Sequence, residues 1–120
     1  MTHYLYAMPG SLYSGKARAY LRKQRIDFEE RAPSHPRFDE ARKSIGRWII
    51  PVLETPDGRF IQDGSDIIAY GEAAGLARLP AYAGGPVQRL VGLIFELFGG
   101  EGMVRPAMHY RWNFDAENIP

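Results

Sequence analysis

With 120 residues, 45% of them hydrophobic, the chain can bury one core but is short for two complete domains. Its formal charge of +1 is nearly balanced, and basic and acidic residues are interspersed, so there is no stripe to track phosphates or an anionic bilayer; nucleic acid and membrane are not expected as partners. Cysteine is absent, which excludes disulfides, thiol nucleophiles and thiolate metal sites, so any thiol chemistry must take its sulfur from a ligand.

The segment Tyr4 to Ala7 is short, apolar and partly aromatic and stops at Met8-Pro9-Gly10, the pattern of a buried strand closed by a turn. From Ser14 the period becomes helical, with Tyr13, Ala17, Tyr20 and Leu21 on one face and Lys16, Arg18, Arg22 and Lys23 on the other. A second short strand is centred on Asp27-Phe28-Glu29-Glu30. The prolines of Ala32-Pro33-Ser34-His35-Pro36 mark a loop, and Phe38 to Ile45 reads as a short helix ending at Gly46. Trp48 to Glu54 and Arg59 to Gln62 flank Thr55-Pro56-Asp57-Gly58, the strongest hairpin signal in the chain. Ser65 begins a helix that carries Ile67, Ile68 and Tyr70.

After Gly75 a stretch rich in Gly, Ala and Pro reads as a linker. Val87 to Phe98 is apolar around most of its circumference, which predicts a helix buried inside a bundle and in need of covering partners. One more helix is expected near Glu101 to Trp112, with Met108, Tyr110 and Trp112 in core packing. The expected organisation is a domain over residues 1–76, a linker over 77–86 and the start of an all-helical domain over 87–120. The helical part reads as truncated or degraded, or as completed by another chain. Met1-Thr2-His3-Tyr4 runs straight into strand-like sequence without the marks of a signal peptide, and no run of about 18 apolar residues occurs, so a cytoplasmic location is expected. His3, His35 and His109 lie far apart with no carboxylate at ligand spacing; they read as structural or surface residues, and no metal is expected.

The order strand, helix, strand, helix, hairpin, helix is that of a thioredoxin-like α/β fold, a mixed sheet with flanking helices. Three segments then resemble the N-terminal domain of cytosolic glutathione S-transferases over residues 4 to 72. Gly10 to Leu21 is similar to the junction of strand one and helix one in serine- or cysteine-type members, and Ser11 falls on the catalytic position. Ile49-Ile50-Pro51-Val52-Leu53 resembles the element in which a cis-proline opens strand three. Gln62 to Tyr70 resembles the acidic-Ser-x-x-Ile-x-x-Tyr stretch at the start of helix three.

The resemblance implies a transferase that binds glutathione as co-substrate and stabilises its thiolate for attack on an electrophilic small molecule, as in detoxification, impaired in this short chain. Family members commonly dimerise, which implies a homodimer. Ser11 would donate a hydrogen bond to the thiolate beside a helix N-terminus. The backbone of Ile50, before Pro51, would pair with the cysteinyl part of glutathione. Asp63 would hold the γ-glutamyl ammonium group, with Gly64 and Ser65 at the helix amides that suit the carboxylate. Read without the family, Ser11 or Ser14 is a helix cap, and Pro51 is an ordinary trans proline at a strand start.

Two departures are visible. Gly64 stands where most members carry serine or threonine, leaving Ser65 as the substitute cap and donor. Ile49 and Ile50 are apolar where many relatives have a polar contact, with Lys43 and Arg47 either reaching the glycyl carboxylate or simply solvated. Tyr6 lies one residue out of register with the tyrosine-type catalytic position, which falls on Ala7, and is held in reserve. Together these features keep open a second function, a non-catalytic binding or protein-interaction module of the same fold.

Overall fold

The computed structural model describes every residue except Ala83, Ile119 and Pro120. Its centre is strand β1 (His3–Tyr6), flanked in the order β2-β1-β3-β4 by β2 (Phe28–Arg31), β3 (Val52–Glu54) and β4 (Phe60–Gln62). β2 runs parallel to β1, whereas β3 and β4 are antiparallel to their neighbours, so the sheet is mixed. This is the thioredoxin-like arrangement that the element order predicts.

Both faces of the sheet are covered at its centre, which explains why β1 and β3 are buried at successive positions instead of alternating. Leu5 and Leu53 point to one face, where α1 (Leu12–Gln24) and α3 (Gly64–Ala73) pack through Ala17, Tyr20, Leu21 and Ile67. Tyr6 and Val52 point to the other, where α2 (Phe38–Ile45) brings Phe38 and Ala41. The inner stripe of α1 is Ser14, Ala17, Tyr20, Leu21 and Gln24. Tyr13, expected on that stripe, is exposed, and Ser14 beside it takes the inward position. Gly46 ends α2 in the left-handed conformation, at φ 83°.

Buried polar groups pair across elements. His3 Nδ1 lies 3.2 Å from the Asp27 carbonyl and Nε2 lies 3.1 Å from the Tyr70 hydroxyl, so this histidine is a structural one. The buried Gln24 amide holds the chain after α3: Nε2 donates to Leu79 O at 2.7 Å, and Oε1 accepts from Arg78 N and Leu79 N. The hairpin expected at Thr55 to Gly58 forms, with Gly58 N donating to Thr55 O at 2.8 Å and Gly58 at φ 83°. β3 is shorter than the run Trp48 to Glu54, since proline has no N–H for the ladder and pairing starts only after Pro51.

The chain divides into two units, Met1–Ala81 and Tyr82–Pro120. In the second, α4 (Pro86–Leu97) starts with a proline at its first turn and passes into a π-helical turn (Phe98–Gly102), followed by α5 (Val104–Trp112) and α6 (Asp115–Asn118). Tyr82 donates to Glu96 at 3.0 Å. α4 lacks, among the described residues, the covering partners that its sequence calls for: none of its residues is buried, and Val87 and Phe95 are 69% and 70% exposed. The helices that follow are too short to wrap it. Tyr110 and Trp112, expected in a core, are likewise exposed.

Packing between α1 and α3 is tight at one point. A Cβ on Gly71 would stand 2.5 Å from the Tyr20 hydroxyl and 2.8 Å from its Cε1, and that hydroxyl is bonded to Glu72 at 2.8 Å. Gly71→Ala is expected to lower stability by about 1–3 kcal/mol through overpacking, outweighing the gain in helix propensity. Gly15→Ala, where nothing lies within 4 Å of the added carbon, is expected to raise it by about 0.5–1 kcal/mol. Urea denaturation of both variants checks the pair; equal shifts of the same sign would show that Tyr20 yields freely.

Candidate functional site

The strand register gathers the candidate residues. Tyr6 pairs with Val52, and Val52 with Gln62. The chain therefore leaves β1 after Tyr6, enters β3 before Val52 and leaves β4 after Gln62 at one edge of the sheet. With strands about 4.8 Å apart, the three departure points span about 10 Å. Ser11, Ile50-Pro51 and Asp63-Gly64-Ser65 all lie on segments that start at this edge.

Ser11 is the N-cap of α1, with extended backbone (φ −85°, ψ 124°), and its Oγ accepts from Ser14 N at 3.2 Å. The cap and the catalytic assignment thus fall on the same residue, and they use different parts of the hydroxyl. Capping occupies a lone pair, whereas the O–H hydrogen has no acceptor among the described residues and is available to donate. The preceding turn is held by several bonds: Ser11 N donates to Met8 O at 3.1 Å, Met8 N to Ser14 Oγ at 3.4 Å, and Arg18 Nη2 to Met8 O at 3.2 Å. Arg18 is itself held by Glu30 of β2 through two bonds of 2.6 Å.

The Ile50–Pro51 peptide is cis. Pro51 is buried and Ile50 half-buried, and among the described residues the Ile50 N–H and C=O make no hydrogen bond. Across the edge, Asp63 caps α3 by accepting from Ser65 N at 2.8 Å through Oδ1. Its backbone sits at φ 79°, ψ 141°, a region that costs a non-glycine residue about 1–3 kcal/mol and is found where the surroundings impose it. Oδ2 carries no hydrogen bond among the described residues. Gly64 is buried as the first residue of α3, and Lys16 Nζ donates to Ser65 Oγ at 2.9 Å, linking the second turn of α1 to the first turn of α3.

Lys16 is the site neighbour that sequence reasoning missed; helical periodicity gave it to the solvent face of α1. The signal was indirect, the glycine at position 64, which leaves room for the lysine stem over the start of α3. Arg47 Nη2 donates to Gln62 Oε1 at 3.0 Å, next to Asp63, while Lys43 is simply exposed.

Tyr6 is not a competitor for Ser11. It is fully buried under α2, its hydroxyl donates to Glu54 Oε2 at 2.7 Å, and burial first, then the Glu54 hydrogen bond, push its pKa up to about 12. Glu54 in turn accepts from Arg37 Nε at 2.9 Å. An open depression of about 490 Å³, lined by Thr2, Tyr4, Arg37, Glu54 and Asp57 among others, lies at the opposite edge of the sheet and includes none of the candidate residues. Among the described residues no cluster of His, Cys, Asp and Glu is arranged to hold a metal ion, and no helix is long and apolar enough to cross a membrane.

Residues 5–74 match the family model described as glutathione S-transferase, N-terminal domain. Among solved structures, a glutathione S-transferase from Rhodospirillum rubrum F11 is similar with a TM-score of 0.74 and 22% identity, covering 86% of this chain and 46% of that one. A glutathione S-transferase of Ceriporiopsis subvermispora, solved in complex with glutathione, gives 0.67 and 20%, over 86% and 48%. Glutaredoxin 2 from Salmonella typhimurium, also in complex with glutathione, gives 0.55 and 17%, over 96% and 59%. At these identities the likeness is one of fold, and the chain spans about half the length of the transferases. The search of curated proteins returned no match.

The Arg18–Glu30 pair that steadies the Ser11 turn is open to test. The guanidinium holds the Glu30 carboxyl below its ordinary value of 4.5. A carboxyl depressed in the folded state contributes stability above the unfolded pKa and loses it as pH falls through the folded one. Glu30→Gln is therefore expected to be about 1 kcal/mol less stable than the parent at pH 7 and indistinguishable from it below the depressed pKa. Denaturation curves at pH 7 and in acid check this; a gap that persists once Glu30 is protonated would contradict it.

Proposed function

The chain belongs to the glutathione S-transferase family through its N-terminal domain, and on that premise we propose that it binds glutathione as the thiolate and presents the sulfur to an electrophilic small molecule. The observation that supports this reading most is the common sheet edge set by Tyr6, Val52 and Gln62, from which the serine, cis-proline and acidic-cap segments all depart. Each segment then has one task.

Ser11 donates its O–H to the sulfur, and the N-terminus of α1 favours the negative charge there, so the bound thiol ionises at lower pH than the free one. Ile50 supplies the backbone N–H and C=O that pair with the cysteinyl residue, with Pro51 fixing the direction of approach. Asp63 takes the γ-glutamyl ammonium on Oδ2, and the carboxylate lies at the first turn of α3, on Gly64 N–H and the Ser65 hydroxyl. The thiolate then supplies the electron pair of the new carbon–sulfur bond, and the acceptor either releases a leaving group with its pair or takes up a proton after addition. The same reading takes the protein as a cytoplasmic homodimer whose acceptor pocket needs helical elements beyond those described. A second reading, a binding module that leaves the thiol unactivated, is favoured by the glycine at 64 and the apolar Ile49.

Two substitutions separate these readings. Asp63→Asn keeps a capping oxygen and a residue type tolerant of positive φ but removes the charge, and is expected to weaken glutathione binding by about 10- to 100-fold in calorimetric titration. Ser11→Ala is expected to leave affinity at low pH nearly unchanged while raising the pKa of the bound thiol by about one to two pH units, followed by thiolate absorbance. A thiol pKa indifferent to Ser11 would favour the binding module. Absence of saturable binding at millimolar glutathione would sink the transferase and the glutathione-binding module alike and leave a protein-interaction module of the same fold.

A further inference from the structure

Three hydrogen bonds close a ring at the start of α1. Met8 N donates to Ser14 Oγ at 3.4 Å, Ser14 N donates to Ser11 Oγ at 3.2 Å, and Ser11 N donates to Met8 O at 3.1 Å. Ser14 takes part twice, through its backbone and through its side chain, and it is fully buried. Helix propensity does not call for a serine on this inward stripe, since alanine is the better helix former. Ser14 stands at the third position of α1, where a capping box carries a glutamate or glutamine that reaches back to the N–H of the cap. Here that N–H is taken by Met8 O, and the shorter serine side chain holds Met8 by its other end.

The consequence falls on Ser11. Its N–H is bonded to Met8, its C=O accepts from Gly15 N at 2.9 Å, and one lone pair of its hydroxyl accepts from Ser14 N. Arg18 Nη2 adds a second donor to Met8 O at 3.2 Å. With backbone and Oγ both held, the freedom that remains is rotation of the O–H. The Ser14 N–H on one side of Oγ turns that hydrogen away from the helix amides. Release of Met8 would loosen the turn and let the Ser11 side chain visit its other staggered rotamers.

We infer that Ser14 is a positioning residue for Ser11: its side chain fixes Met8, Met8 fixes Ser11, and the Ser11 O–H is thereby held in the one direction that meets the sulfur. The inference rests on the proposed glutathione site. A donor already aimed needs no reordering when the charge arrives, which is what makes a fixed dipole effective at a thiolate. Ser14 itself touches no ligand and acts only through the ring.

Ser14→Ala removes the acceptor for Met8 N–H and raises helix propensity, so the fold is expected to stand. With thiolate absorbance followed against pH, the substitution is expected to raise the pKa of bound glutathione by about 0.5–1 pH unit and to leave affinity at low pH unchanged. In a Ser11→Ala background it is expected to change nothing, because no hydroxyl is left to position. A merely structural residue would shift the denaturation midpoint without moving the thiol. An unchanged thiol pKa, or a rise of equal size in the Ser11→Ala background, would overturn the role of Ser14 and leave the glutathione site standing. Three-bond couplings about the Ser11 Cα–Cβ bond, measured by NMR on the ligand-free chain, are expected to report one rotamer in the parent and averaging in Ser14→Ala; averaging already in the parent would overturn the inference without reference to glutathione. A parent protein that shows no saturable glutathione binding would overturn the inference together with the site.

Discussion

The structure depends on one register. Because Tyr6, Val52 and Gln62 stand side by side on three neighbouring strands, loops far apart in sequence open at one edge of the sheet within about 10 Å of each other. A slip of one residue in β3 would exchange Leu53 and Val52 between the two covered faces. It would also carry Pro51 away from the Ser11 turn. The core residues Leu5, Leu53, Tyr6 and Val52 therefore hold the fold and align the site by the same contacts.

Around that edge the polar groups divide into those that fix backbone and those left over for a ligand. Arg18, Glu30 and Ser14 are consumed in holding the turn before α1. Tyr6 is consumed by Glu54, and its raised pKa keeps it protonated well above neutrality. Among the described residues, the groups left at the edge include the hydrogen of the Ser11 hydroxyl, the backbone of Ile50, the Gly64 N–H and one oxygen of Asp63. The strained backbone of Asp63 fits this division, since its cap to Ser65 N holds the carboxylate in a conformation that a free residue would not choose. Two helix N-termini, those of α1 and α3, meet the same space, and both favour negative charge.

Much of the fold was legible because local chemistry and tertiary packing agree. The Pro-Asp-Gly turn, the Gly46 helix stop and the apolar runs of β1 and β3 each announce themselves, and α2 ends at the residues its sequence predicts. Where the reading failed, the deciding contact was distant in sequence. Tyr13 looked like a core residue by spacing, but Ser14 takes the inward position on α1, where its hydroxyl accepts from Met8 N. Lys16 looked solvated until the absent Cβ of Gly64, 48 positions away, gave its stem a place to lie. Periodicity on one helix cannot register a vacancy on another. The helix α4 shows a different limit: apolarity around the whole circumference says that a helix requires cover, and the described residues do not supply it.

The central claim is that the common sheet edge is a glutathione site. Amide chemical-shift mapping by NMR during a glutathione titration tests it residue by residue. The account predicts saturable shifts concentrated at Met8 to Ser11, at the Ile50 amide and at Asp63 to Asp66, with little change on the turn Thr55 to Arg59. Shifts centred on that turn and on Thr2 and Tyr4, or no saturable shifts at all, would contradict it.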